Sequence, residues 1–428
     1  MTTNEMLSLH QPEDILGYIP HVLGYWPTDS LVAITMQGKV LGATLRVDLP
    51  DTRSKRVLSR FAAHVRSYLL EDDAADGVVL AVYTDRGWED ATVGEKTLPL
   101  LVALQEALDA ADLAVRDAWL IGSKYWRSAF CPDGACCPFP GLPVEMIQNS
   151  PLSAEMVFRG SSFGRSPRDP VPATEGSPHP VPDPAVLEAE ARFALEMADA
   201  WSDQGCLMVV LDAWKRAIDG TVVDVNAVDG CGAEFAGFLR ASLGVSVWRD
   251  AVVVMAAAGV ESATRGAAVF GLFTEASGND PREGPPSFSV PDFVCADVDP
   301  EDAPADGGKT YDAPGGAGDI FTYGDVFLGM SPHIPDWPRV DALQTVLGKL
   351  CVDGEVGEAA AASLTLQGWI SWCKGSGSYA HAFLQRARLA LPGYRLAELL
   401  IDVMGQGKLC GWARRPESAW RGPKGLIT

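Results

Sequence analysis

Three carboxylates, Asp29, Asp48 and Asp85, and three cations, Arg46, Lys124 and Arg127, stand at the ends of strand-like runs early in this chain of 428 residues. Ser30, Tyr83 and Trp126 stand beside them. Carboxylates so placed can exchange protons with a substrate or hold a hard cation. Arginine and lysine can hold a phosphate or carboxylate, and the aromatic residues can stack on a ring. Polar groups of both signs beside Tyr and Trp suit a small-ligand cleft. The same residues also admit a structural reading. Arg46 can pair with Asp48 or Asp29 while the aromatics cap a sheet, because ion-pair networks imitate sites.

The elements that must position these residues are legible in the pattern. Leu31 to Met36 is a short β-rich run, Gln37-Gly38-Lys39 turns the chain, and Val40 to Leu49 alternates as a half-buried strand. In that strand Leu41, Ala43, Leu45, Val47 and Leu49 share one face, and Thr44, Arg46 and Asp48 the other. Asp51 or Thr52 can cap a helix in which Val57, Phe61, Val65 and Leu69 form a stripe. Gly77 to Tyr83 is apolar on both faces, as a central parallel strand is. A helix over Leu98 to Ala111, with Pro99 in its first turn, leads to a strand over Asp117 to Gly122. The order β-β-α-β-α-β with right-handed crossovers gives a mixed sheet whose last three strands run parallel. Ligands of such sheets sit beyond the carboxyl ends of the strands. Asp29, Asp48, Asp85, Lys124, Trp126 and Arg127 are therefore expected on one rim, with the loop Ala129–Pro143 leaving from the same place.

That loop holds Cys131, Cys136 and Cys137. Their spacing is not one of the paired zinc motifs, so a metal, a redox-active disulfide and a turn with packed thiols all stay open. His21, in Ile19-Pro20-His21, can reach the rim. No phosphate loop, nucleophile elbow, paired-histidine zinc helix or calcium loop occurs, and no dinucleotide fingerprint sits in a βαβ unit. The cofactor is left unknown.

Composition bounds the rest. A net charge of −22 excludes the basic footprint of a passive nucleic-acid binder and disfavours an anionic membrane surface. No apolar run approaches the ~18 residues of a membrane span. Nine scattered cysteines and an opening without a secretory pattern point to a reducing cytoplasm. The length allows two or three domains. The pattern divides the chain into an α/β domain (1–160), a Pro-rich linker (161–185), a helical region (186–274), an acidic flexible segment (275–320) and a helical C-terminal region (321–428). The fold class expected is an α/β N-terminal domain followed by a mainly α-helical C-terminal half.

Two stretches carry a resemblance. One runs from Tyr18-Ile19-Pro20-His21 through Leu23-Gly24-Tyr25, Pro27 and Asp29-Ser30-Leu31-Val32 to Arg46, Asp48, Leu49 and Pro50. It continues at Trp126-Arg127-Ser128, Cys131, Cys136-Cys137-Pro138, Gly141 and Pro143. The other runs from Trp369 through Gly375 and Ala387 to Pro392, Tyr394 and Leu396-Ala397. Together they resemble an actinobacterial family catalogued as Domain of Unknown Function 4192. Between these stretches the likeness is thin apart from Trp248-Arg249-Asp250. The resemblance implies an actinobacterial or actinophage origin and implies no activity. The C-terminal helices also look like one tetratricopeptide unit, but such repeats need about three neighbours, so an ordinary helical hairpin is expected.

Two classes of function follow. The first is a small anionic-ligand site at the rim, enzymatic if Asp29, Asp48 and Asp85 act as acid, base or cation ligands, with Ser30, Arg46, Tyr83, Lys124, Trp126 and Arg127 binding. The second is a non-enzymatic scaffold whose C-terminal helices bind a protein partner.

Overall fold

A computed structural model describes residues 11–158 (except 39, 51–53 and 132–136), 183–269, 291 and 322–420 (except 353, 406–407 and 416). The chain divides into two compact units, Met1–Ala173 with Arg421–Thr428, and Thr174–Trp420. The Pro-rich stretch up to residue 182 and nearly all of the acidic segment 275–320 lie outside the described residues, as do Asp51 and Thr52.

The first unit holds a six-stranded mixed sheet in the order β2-β1-β3-β4-β5-β6. Its strands are β1 (Ser30–Gln37), β2 (Val40–Asp48), β3 (Gly77–Tyr83), β4 (Ala114–Ile121), β5 (Tyr125–Ser128) and β6 (Leu142–Pro143). β1 lies between β2 and β3 and runs antiparallel to both, while β3 and β4 are parallel. So β2, β3 and β4 do point the same way, but β3 has a parallel neighbour on one side only. Residues 123–128, expected to be the loop beyond the fourth strand, turn back instead: Gly122 N–H donates to the Tyr125 carbonyl, and β5 pairs antiparallel with β4.

Helices cover both faces. α2 (Lys55–Leu69) and α3 (Val93–Asp109) bury Leu58, Ala62, Val65, Leu101 and Leu104 against Leu31, Ala33, Leu80, Val82 and Leu120. α1 (Pro12–Leu23) and α4 (Glu145–Gln148), followed by α5 (Pro151–Phe158), lie on the other side, where Leu16, Ile19 and Ile147 pack with Val32, Ile34, Ala81, Tyr83, Trp119, Ile121 and Trp126. Each Val, Leu or Ile among them contributes ~1.5–3 kcal/mol on burial. α3 starts five residues earlier than expected, so Pro99 is in its interior. Pro99 and Glu95 both face solvent, so the carbonyl that the missing N–H leaves unbonded is open to water. A one-residue bulge in β2, between the Ile34–Thr44 and Met36–Leu41 pairs, turns Leu41 to the α1 face instead of the face of Leu45 and Val47.

The second unit is helical: α6 (Pro184–Met197), α7 (Gln204–Val223), α8 (Ala233–Leu243), α9 (Ser246–Ala258), α10 (Val260–Val269), α11 (Tyr323–Phe327), α12 (Trp337–Leu350), α13 (Glu358–Cys373), α14 (Gly377–Ala390), α15 (Arg395–Gly405) and α16 (Gly411–Arg414). Asp183 caps α6 by accepting from Ala185 N–H at 2.9 Å. One core runs from Ala189 to Trp412, so the helices before and after the acidic segment bury each other's apolar faces. Trp369 and Trp372 are part of it. Among the described residues no single helix is long and apolar enough to cross a membrane.

Candidate functional site

β-pairing fixes where the expected site residues stand. Ser30 is opposite Asp48 on one side and Tyr83 on the other; Tyr83 is level with Ile121, and Ile121 is opposite Trp126. These five positions form one row across the sheet, at the end where β3 and β4 finish. Arg46 is opposite Val32, two residues along β2 from Asp48. Side chains alternate between faces, so Ser30, Arg46, Tyr83 and Trp126 all lie on the α1 face. Arg127 is opposite Leu120 and so lies on the other face, where its guanidinium donates to the Cys137 carbonyl at 3.4 Å and faces the Phe139 ring at 6.0 Å.

The carboxylates and Lys124 stay at the outer edge. Asp29, Asp85 and Lys124 are exposed. Asp29 carries a left-handed φ of 41°, and its carbonyl accepts from Leu49 N–H at 2.9 Å, which clamps the start of β1 to the end of β2. Asp85 accepts from Ser123 N–H at 2.6 Å and holds the β4–β5 turn. Asp48, with its side chain 80% exposed, pairs with Arg46 at 2.6 Å. The structural pairing expected for Arg46 is therefore present. It leaves part of the guanidinium unused.

Inside the edge the polar groups are buried, and their hydrogen bonds are incomplete. Ser30, Tyr83 and Trp126 are 0%, 2% and 4% exposed. Ser30 Oγ, Arg46 Nε, Tyr83 OH and Trp126 Nε1 have no hydrogen-bond partner among the described residues. A buried polar group left so costs ~1–3 kcal/mol. In the helical unit Trp214, Trp369 and Trp412 donate their indole N–H at 2.9, 2.8 and 2.7 Å. Burial pushes the Tyr83 phenol well above its ordinary range, so it stays protonated and able to donate. Trp26, in the segment between α1 and β1, sets its ring edge-on to Tyr83 with centroids 6.0 Å apart.

Strand spacing shows what one ligand could reach. Arg46, Ser30 and Tyr83 stand on three adjacent strands, whereas Trp126 is two strands beyond Tyr83, ~10 Å away. Asp48 and Trp126 are four strands apart, ~19 Å, so the whole rim does not converge on one point. Of the cysteine trio, Cys131 and Cys137 are partly buried, and Cys136 lies outside the described residues. Among the described residues no three His, Cys, Asp or Glu side chains are grouped closely enough to hold a metal ion.

One polar pair on this side of the unit joins His21, singled out in the sequence, to a serine with no expectation behind it. His21 Nε2 and Ser153 Oγ are 3.2 Å apart, joining the last turn of α1 to the first turn of α5. Pro20 hides α1 in the sequence, although the helix accommodates it. Only the polar character of Ser150 and Ser153 beside apolar neighbours signalled the other half.

A family model described as Domain of unknown function (DUF4192) matches residues 12–276 and 343–408. No curated protein and no solved structure matches the chain.

Proposed function

The chain belongs to the family described as Domain of unknown function (DUF4192), and from that premise we propose that its α/β unit binds a small anionic ligand on the α1 face of the sheet. The observation that carries this reading is the set of four buried groups, Ser30 Oγ, Arg46 Nε, Tyr83 OH and Trp126 Nε1, all able to donate and all without a partner among the described residues. Their complement is a group rich in acceptor oxygens. Arg46, Ser30 and Tyr83 hold the anionic head, a carboxylate or phosphate. The Trp126 N–H meets an acceptor further along, across the apolar side chain of Ile121. Asp29, Asp48 and Asp85 stand on the exposed edge as candidates for proton exchange, and Lys124 beside them as a further contact for the anion. We read the source as actinobacterial and the compartment as a reducing cytoplasm.

Native mass spectrometry of the full-length protein as purified is the first test. A noncovalent adduct that leaves on denaturation, and that Arg46→Met abolishes, is the expected result. The second measurement is Tm with inorganic phosphate and with a series of small carboxylates. A bare native mass together with no shift of Tm by any of these probes overturns the proposal.

A second reading, an interaction role for the helical unit, draws on Val356 and Leu389. They are apolar and 74% and 79% exposed, and their neighbours Gly357 and Ala390 share a backbone hydrogen bond of 3.0 Å. The test compares full-length protein with the Val356→Asp/Leu389→Asp variant by size-exclusion chromatography. A self-associating or partner-bound species lost in the variant supports this reading, and identical elution removes it. The segment 321–428 alone is unsuitable for the test, because its core is shared with the helices before residue 270.

A further inference from the structure

We propose that His21 and Ser153 form a base and nucleophile pair that transfers an acyl group from an ester or thioester. The inference stands apart from the anion site and does not need it. Its ground is a hydrogen bond of 3.2 Å between His21 Nε2 and Ser153 Oγ, two side chains 132 residues apart and 8% and 4% exposed.

Among the described residues the Ser153 hydroxyl has the His21 imidazole as its hydrogen-bond partner. Ser150 supplies the cap of α5: its Oγ accepts from Ser153 N–H at 3.1 Å, and its carbonyl accepts from Ala154 N–H at 3.0 Å. Thr97, Thr221, Thr365 and Ser371 turn their hydroxyls back to carbonyls four residues earlier on their own helix, and Ser363 reaches across to the Leu347 carbonyl of α12. Ser153, in the first turn of α5, also reaches another helix, but there it meets an imidazole rather than a carbonyl. His21 is held in place by the end of α1, where Gly24 adopts a left-handed φ of 77° and its N–H donates to the Pro20 carbonyl at 2.7 Å. One turn earlier, Gly17 carries no side chain at a point where a Cβ would stand 2.6 Å from Ser150 Oγ. That absence lets α1 and α5 approach. Burial lowers the pKa of His21, so the imidazole is neutral near pH 7 and can accept a proton.

The chemistry balances without a cofactor. Ser153 Oγ bonds to the acyl carbon as its proton passes to His21 Nε2. Collapse of the tetrahedral adduct breaks the C–O or C–S bond, and the leaving alkoxide or thiolate takes the proton from His21. Water then attacks the acyl-serine, gives a proton to His21, and releases the carboxylic acid as Ser153 recovers its hydrogen.

The test is labelling of the full-length protein with a fluorophosphonate, followed by intact mass and peptide mapping. A single phosphonyl group on Ser153 is expected, lost in Ser153→Ala. His21→Gln slows labelling by at least ~100-fold, the usual effect of losing a general base. Circular dichroism and Tm of both variants separate loss of chemistry from loss of fold. No label on Ser153 in the folded protein overturns the proposal, and so does equal labelling in a folded His21→Gln variant.

Discussion

Ser30 stands directly opposite Tyr83 across the antiparallel β1–β3 pair, and neither hydroxyl has a hydrogen-bond partner among the described residues. Both side chains are buried, on a face otherwise filled by Leu16, Ile19, Val32 and Ile121. A sheet that needed only packing there would place Ala and Phe at these two positions and avoid the desolvation cost of both hydroxyls. Retaining them makes sense if something outside the chain completes their bonds.

Tyr83→Phe separates the two demands. Removing an unsatisfied buried hydroxyl without changing the ring raises the stability of the ligand-free unit by about 1 kcal/mol. If the proposed anion site is right, the same change weakens anion binding. Urea unfolding of the full-length protein measures the first effect. A destabilisation of that size would show that the hydroxyl is already satisfied in the free protein.

The buried His21 predicts a direction of pH dependence. Its folded pKa lies below the ordinary value of 6.5 because burial disfavours the imidazolium. Below pH 6.5 the unfolded chain therefore takes up a proton that the folded chain resists, and stability falls as pH drops through the window beneath 6.5. Above that value the term is constant. Urea midpoints from pH 7.5 down to 5 should decline in the native sequence and decline less in His21→Asn.

Gly17→Ala tests how closely α1 approaches α5. The added Cβ would lie 2.6 Å from Ser150 Oγ and 3.1 Å from the Ile147 carbonyl. Overpacking of that kind costs ~1–3 kcal/mol. A thermal melt showing no loss would mean that the helices part easily at this point.

In the helical unit Arg240 is 3% exposed and pairs with Glu355 and Glu190, and its guanidinium also donates to the Leu350 carbonyl at 2.6 Å. Arg240→Met strands the buried Glu355 carboxylate and should cost ~3–5 kcal/mol in guanidinium unfolding. Arg240→Met/Glu355→Leu removes both charges and should recover most of it. If the single variant unfolds at the native midpoint, the pair is not buried as described.

What the sequence determined by itself was local and periodic. The alternation of Val40–Asp48 and the apolar run Gly77–Tyr83 announce strands, and the stripe through Val65 and Leu69 announces a helix. Chain order with antiparallel and crossover rules then brings Asp29, Asp48, Asp85 and Lys124 to one edge of the sheet, where they lie. The face each residue takes was decided only by tertiary pairing. Trp126 and Arg127 are neighbours in sequence, and β5 puts them on opposite faces because the strand period is two. Leu41 changes face through a bulge that no alternation of apolar residues in β2 records. His21 meets Ser153 only because α1 forms across Pro20 and lies against α5, a contact between segments 132 residues apart. Periodicity reports what a segment buries, but the identity of its neighbour depends on register and packing set by the whole fold.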